Sequence, residues 1–135
     1  MGEFGRATLE TTNKGAVTLF GGFKTNAGAS PTAAMIFGNF IASVTRTGAG
    51  AYDVLLKPEF RNLDVISKQI SLQLAAAGDS KVQFGTYVKT TGVQKVVTVT
   101  ATAAADIAAD ADNIVWIQMT IRYAVTSDGT VLYDA

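Results

Sequence analysis

The run Asn113–Tyr123, reading NIVWIQMTIRY, constrains the fold more than any other stretch of the chain. Val115, Ile117, Met119, Ile121 and Tyr123 share one parity, and Ile114, Trp116, Gln118, Thr120 and Arg122 share the other. Strict alternation of β-branched, aromatic and other large apolar residues marks a strand with one face in a core. The second face is mixed: apolar at Ile114 and Trp116, polar towards Arg122. This is the expected central strand, with the other elements packed around it.

The remaining chain reads as short strands separated by turn signals. Ala16–Phe20 is a strand ended by Gly21-Gly22, and Phe23–Pro31 a Gly/Asn/Ser loop. Ala34–Arg46 is a longer strand in which Gly38 marks a bulge or a close backbone approach. Thr47-Gly48-Ala49-Gly50 turns it into Ala51–Lys57, a hairpin. Pro58–Leu63 breaks the pattern and suits a 3₁₀ turn, because proline cannot continue a central ladder. Val65–Ala75 and Lys81–Lys89 read as a strand and its return about Gly78-Asp79-Ser80. In Gln94–Thr102, Val97 and Val99 are expected inward, Thr98 and Thr100 outward. Ala103–Asp112 is too short and too uniformly small to hold a helix, so it is a loop. Asp128-Gly129 is a two-residue hairpin signal leading to Val131–Tyr133. Short strands at regular spacing predict an all-β fold: an antiparallel β-sandwich or jelly-roll-like domain over residues 15–135, preceded by a polar, aperiodic N-terminal arm over residues 1–14.

Composition narrows the chemistry. The chain is 48% apolar, which is incompatible with a disordered polymer, and only 16% charged, against about a quarter in ordinary domains. Eleven basic and eleven acidic side chains cancel. Zero net charge provides no long-range field for nucleic acid or an anionic membrane, and little repulsion between copies. Without cysteine there are no disulfides or thiolate metal sites, so no redox compartment is implied. Without histidine the commonest general base and transition-metal ligand is missing. The first residues have no signal-peptide pattern and no apolar run reaches the length of a membrane span, so folding in the cytosol of the producing cell is expected.

Each candidate constellation has a plainer structural reading. Ser67 and Lys68 are adjacent and would face opposite sides of a strand, which rules them out as a nucleophile–base pair. Asp106, Asp110 and Asp112 could offer oxygens to Ca²⁺, but the spacing misses the EF-hand loop, and a solvated turn fits better. Glu59 and Asp64 could serve glycoside chemistry only at a fixed separation that a sequence does not supply. Gly48-Ala49-Gly50 leads into a strand instead of a helix N-terminus, so it is no phosphate loop. Lys81, Phe84, Tyr87 and Lys89 come nearest to a nucleic-acid-binding strand, yet read as an ordinary sheet with Phe84 in the core and solvated lysines. No catalytic residue, cofactor site or metal site is assigned. Trp116, the single tryptophan, is either a core residue or an interface anchor.

The run from Val44 to Tyr123 resembles a pattern found in tailed-bacteriophage virion structural proteins of the capsid decoration (cement) and head-fibre type. The resemblance is carried by Arg46–Leu56 (RTGAGAYDVLL), by Phe60 and Leu63 in the turn that follows, and by the Ile70–Leu74 strand. Val82–Gly85 (VQFG), the Thr/Ala/Asp-rich loop and the apolar strand Ile114–Tyr123 complete it. The chain departs from the pattern in its long N-terminal segment and in Val125–Ala135. The resemblance implies a non-enzymatic protein on the capsid surface, made in the bacterial host cytoplasm. It would form a trimer, bind the major capsid protein and stabilise the shell by bridging capsomers, with no nucleic-acid or membrane partner. A tail, baseplate or fibre component is the alternative within that class. A carbohydrate-binding β-sandwich module, with Trp116 or Tyr87 stacking on a sugar, is the alternative outside it. For the oligomer, the mixed face of the central strand is the expected contact, at Ile114, Trp116 and Gln118, because two large apolar residues there would otherwise lie in water.

Overall fold

The computed structural model describes residues 15–122, 124–125 and 131–132. The strands in chain order are β1 (Ala16–Lys24), β2 (Ile36–Phe37), β3 (Ile41–Gly48), β4 (Ala51–Leu56), β5 (Asp64–Gln73), β6 (Ser80–Val88), β7 (Val93–Thr100), β8 (Ala103–Ala104), β9 (Ile114–Arg122), β10 (Ala124–Val125) and β11 (Val131–Leu132). Ala33–Met35 and Pro58–Phe60 are single 3₁₀ turns. One sheet has the order β2-β1-β9-β5; the other has the order β3-β4-β7-β6, with the short β8 also on β7. All pairings are antiparallel. The two sheets pack face to face, as the all-β sandwich reading requires.

β9 occupies the middle of its sheet, between β1 and β5. Its alternation sets the layers. Val115, Ile117, Met119 and Ile121 are buried against Tyr52, Val54 and Leu56 of β4, Val96 of β7, Phe23 of β1 and Val44 of β3. Phe40, just ahead of β3, and Leu63, just ahead of β5, are buried in the same core. Tyr123, the arm over residues 1–14 and Asp128-Gly129 lie outside the described residues. The two short strands that flank Asp128-Gly129 do pair, Val125 with Val131 and Ala124 with Leu132.

Four expectations are corrected. Gly21-Gly22 do not end β1, which runs through them to Lys24 and carries Phe23 into the core. They are glycines because other chain segments approach closely. A Cβ on Gly21 would lie 2.5 Å from the Phe37 carbonyl oxygen and 2.8 Å from the Phe40 ring, and one on Gly22 only 2.0 Å from the Val115 carbonyl oxygen. Ala34–Arg46 is not one strand. Gly38, at φ 100°, reverses the chain between β2 and β3, and its Cα packs where a side chain would strike Gly21 and Phe20. The close approach read from Gly38 is therefore present, in a break between strands.

The third correction concerns β5 and β6, which are not a hairpin. β5 pairs with β9 and β6 with β7, so the segment between them crosses from one sheet to the other. The fourth is the facing of β7. Gln94, Val96 and Thr98 point inward and are buried, while Val97 and Val99 are only partly covered. Buried polar groups must be hydrogen-bonded, and these are. Thr98 Oγ1 donates to the Ala105 carbonyl at 2.7 Å. Gln94 Nε2 donates to the carbonyls of Lys95 (2.8 Å) and Gly85 (3.0 Å), and its Oε1 accepts from Lys68 Nζ at 2.8 Å. Hydrophobicity was the wrong guide to parity here because β7 satisfies its polar side chains inside.

Candidate binding groove on the outer face

Register fixes what lies outside the β1-β9-β5 sheet. Phe20 pairs with Gln118, which pairs with Gln69; Gly22 pairs with Trp116, which pairs with Ser71. Because side chains alternate, Phe20, Trp116, Gln118, Gln69 and Ser71 all project from the face opposite the core. One row further along, Thr18, Thr120 and Ser67 continue the polar track, with Thr18 and Thr120 hydroxyls 3.0 Å apart.

These side chains form a groove of about 480 Å³ lined by Phe20, Gln69, Ser71, Trp116 and Gln118, with Gly21, Ile70 and Ile117 completing its walls. Phe20 is 67% exposed and Trp116 42%, both high for large aromatic residues. The indole is nonetheless held in place. Its Nε1 donates to Gln73 Oε1 at 3.1 Å, and it makes a T-shaped contact with the Phe37 ring at 4.9 Å between centroids. A Cβ on Gly22, opposite Trp116, would press on the Phe37 ring at 3.2 Å, so the glycine leaves that ring its place. Among the described residues no ionisable side chain lines the groove. It can offer flat apolar surface from two aromatic rings, together with amide and hydroxyl groups that both donate and accept hydrogen bonds.

The expected contact residues separate. Trp116 and Gln118 line the groove, whereas Ile114 is 8% exposed and has little surface left to bury against anything else. Trp116 is therefore not a core residue. The other candidates go elsewhere. Ser67 faces outward beside Thr120 and Lys68 inward beside Met119, on opposite sides of β5. Asp106 is engaged by Arg46 and by the Gly50 amide, while Asp110 caps its own turn by accepting from the Asp112 amide at 2.8 Å. Among the described residues no group of three or more acidic side chains is placed to hold a metal ion. Lys89 is bound to Asp64 at 2.7 Å. Tyr87 is unsuited to stack on a sugar: Lys68 Nζ lies 5.8 Å from its ring centroid and its hydroxyl is buried. Phe84 is partly buried against the core, as expected, and Lys68 Nζ also sits over its ring at 4.9 Å.

Phe20, Gln69, Ser71 and Phe37 escaped the sequence reading. Their parity along each strand is visible, but only the register across β1, β9 and β5 brings them together. Comparison of the chain with protein families, with curated proteins and with solved structures returns no match.

Proposed function

We propose that the chain is a structural, non-enzymatic protein of a tailed-phage virion. In this reading it is a capsid decoration protein that binds the outside of the head as a homo-oligomer, a trimer, and bridges neighbouring capsomers. The virion placement rests on the resemblance of Val44–Tyr123. Its pattern follows the sandwich itself: the β3-β4 hairpin, the turn carrying Phe60 and Leu63, β5, β6 and β9. A protein that binds only the assembled shell stabilises that shell by mass action, by an amount that grows with the logarithm of one plus its free concentration over its dissociation constant.

The observation that favours association is the flank formed by β5 and β6. β5 is ten residues long and among the described residues has one strand neighbour, β9, so its other edge has no strand partner among them. Such an edge is a template for another chain. Ile66, the extra residue of a bulge between Val65 and Ser67, is 54% exposed, and Val88 at the end of β6 is 41% exposed. The Lys89–Asp64 ion pair, linking the residue after β6 to the start of β5, belongs to the same flank. Burying two large aliphatic side chains against a second copy stabilises by about 1.5–3 kcal/mol each, and the ion pair lies at a rim where it adds specificity more than affinity.

Fractionation of purified particles tests the virion reading directly. The protein should travel with DNA-filled heads, and heads stripped of it should release DNA at a lower temperature. Recovery with tails alone would move it to the tail, baseplate or fibre, and its absence from particles would end the proposal. Light scattering should give a trimer that Ile66→Asp dissociates; a monomer at micromolar concentration would remove the oligomer.

A further inference from the structure

We propose that the Phe20–Trp116 groove is a binding site for a neutral oligosaccharide. The site does not depend on the virion reading, and would equip the chain to hold a glycan wherever it is carried.

The chemistry of the lining selects the ligand by exclusion. Phe20, Gln69, Ser71, Trp116 and Gln118 carry no charge, so an anion or cation would surrender its hydration with no counter-charge in return. A purely hydrocarbon ligand would cover the two rings but leave the amides of Gln69 and Gln118 and the Ser71 hydroxyl without partners beneath it. A sugar ring meets both demands. Its C–H face lies against an aromatic ring, and its hydroxyls, each both donor and acceptor, match carboxamide groups that are the same. Phe20 and Trp116 stand on adjacent strands, and Gln118 sits between them, opposite Phe20 in register and two residues from Trp116 on the same face. Gln69 and Ser71 on β5 form the far bank, so apolar and polar surface alternate across three strands.

The volume, about 480 Å³, lies within the roughly 300–1,000 Å³ of small-molecule sites. Trp116 is already oriented, by Gln73 accepting from its Nε1–H and by its T-shaped contact with the Phe37 ring. A platform fixed before the ligand arrives loses little freedom on binding. The two glycines are part of the construction: Gly22 leaves the place that Phe37 fills, and Gly21, backed by Phe40, carries β1 past it without a side chain.

Trp116 is the single tryptophan, so its fluorescence reports the groove alone. The full chain is titrated with soluble neutral oligosaccharides, namely malto-, cello- and β-1,3-gluco-oligosaccharides, and in parallel with polygalacturonate fragments as an acidic control. Saturable change in the tryptophan emission with at least one neutral probe is expected. Calorimetry of that probe should show affinity falling about tenfold or more in Trp116→Ala and in Phe20→Ala, and by less in Gln69→Ala. All three are surface changes, and unaltered melting curves confirm that the variants are folded. No saturable response to any neutral probe overturns the proposal. So does binding confined to the acidic control, affinity unchanged in Phe20→Ala and Trp116→Ala, or a Trp116 that acrylamide fails to quench in the protein's own oligomer, which would make a second copy the occupant.

Discussion

Arg46 grips Asp106 with both ends of its guanidinium fork, Nε donating to Oδ1 at 2.9 Å and Nη2 to Oδ2 at 2.7 Å. The Gly50 amide adds a third hydrogen bond to Oδ1 at 2.9 Å. One carboxylate thus fastens the long loop before β9 to the β3-β4 hairpin. The Arg46 hydrogen bond, then the Gly50 amide, hold the Asp106 carboxyl below its ordinary pKa. A carboxyl with a depressed folded-state pKa contributes stability that is complete above its unfolded value and lost as pH falls through the folded one. Asp106→Asn should lower the melting temperature at neutral pH by several degrees and flatten the loss of stability on acidification. Melting curves from neutral to acid pH check both; an unchanged acid limb would remove Asp106 as its source.

Tyr52 is 1% exposed and stacks at a tilt on Phe23, with ring centroids 5.1 Å apart, yet its hydroxyl has no hydrogen-bond partner among the described residues. Tyr52→Phe keeps the ring and removes the stranded group, and should stabilise by about 1 kcal/mol. Burial, with a smaller contribution from Asp106, raises the phenol pKa. Its contribution is therefore full below the ordinary phenol value and lost as pH rises through it towards the folded one. The variant should resist alkaline unfolding better than the parent. Denaturant titrations at neutral and high pH decide this, and a destabilised Tyr52→Phe would mean that the hydroxyl has a partner.

Gly22→Ala should prevent or severely weaken folding, because its Cβ would stand 2.0 Å from the backbone oxygen of Val115, an atom that cannot move without opening the β1-β9 pairing. Gly48→Ala is the matched control, with nothing within 4 Å of the added atom. Expression as soluble protein and circular dichroism separate the two. Equal behaviour would mean that β1 does not lie as described.

Neighbouring residues of β9 should respond oppositely to truncation. Ile117→Ala removes buried surface from the centre of the core and should cost about 2–5 kcal/mol, whereas Gln118→Ala, on the outer face, should cost less than about 0.5 kcal/mol. Urea unfolding of both variants measures the difference, and similar costs would contradict the layer assignment.

Periodicity made the sandwich legible where hydrophobic and polar residues follow facing. β9 shows it most clearly, and the β3-β4 hairpin and the Pro58–Phe60 turn followed from local chemistry alone. The failures share a physical origin. Gly21-Gly22 have the composition of a turn but serve a close approach, and nothing local tells the two apart. β7 buries Gln94 and Thr98 because Lys68 on β5, Gly85 on β6 and Ala105 just after β8 satisfy them. β5 and β6 look like a hairpin because a turn sequence cannot reveal that it leads into the other sheet. The groove was half legible: Trp116 and Gln118 stood out on the mixed face of β9, but Phe20 and Gln69 join them only through pairing partners on β1 and β5.

The pairing of Ala16 with Arg122 joins the first described strand to the last long one. During synthesis β1 emerges from the ribosome well before its partner and has nothing to pair with in its own sheet except the two residues of β2. The β3-β4 hairpin and its β7 and β6 neighbours can form from nearer contacts in the meantime. The other sheet closes only when β9 arrives and takes β1 and β5 on its two sides, so its assembly is non-local and slow relative to a helical domain of the same length. Until then Phe23 and the apolar face of β5 are uncovered, and it is in this interval that the nascent chain is most open to chaperones and to aggregation.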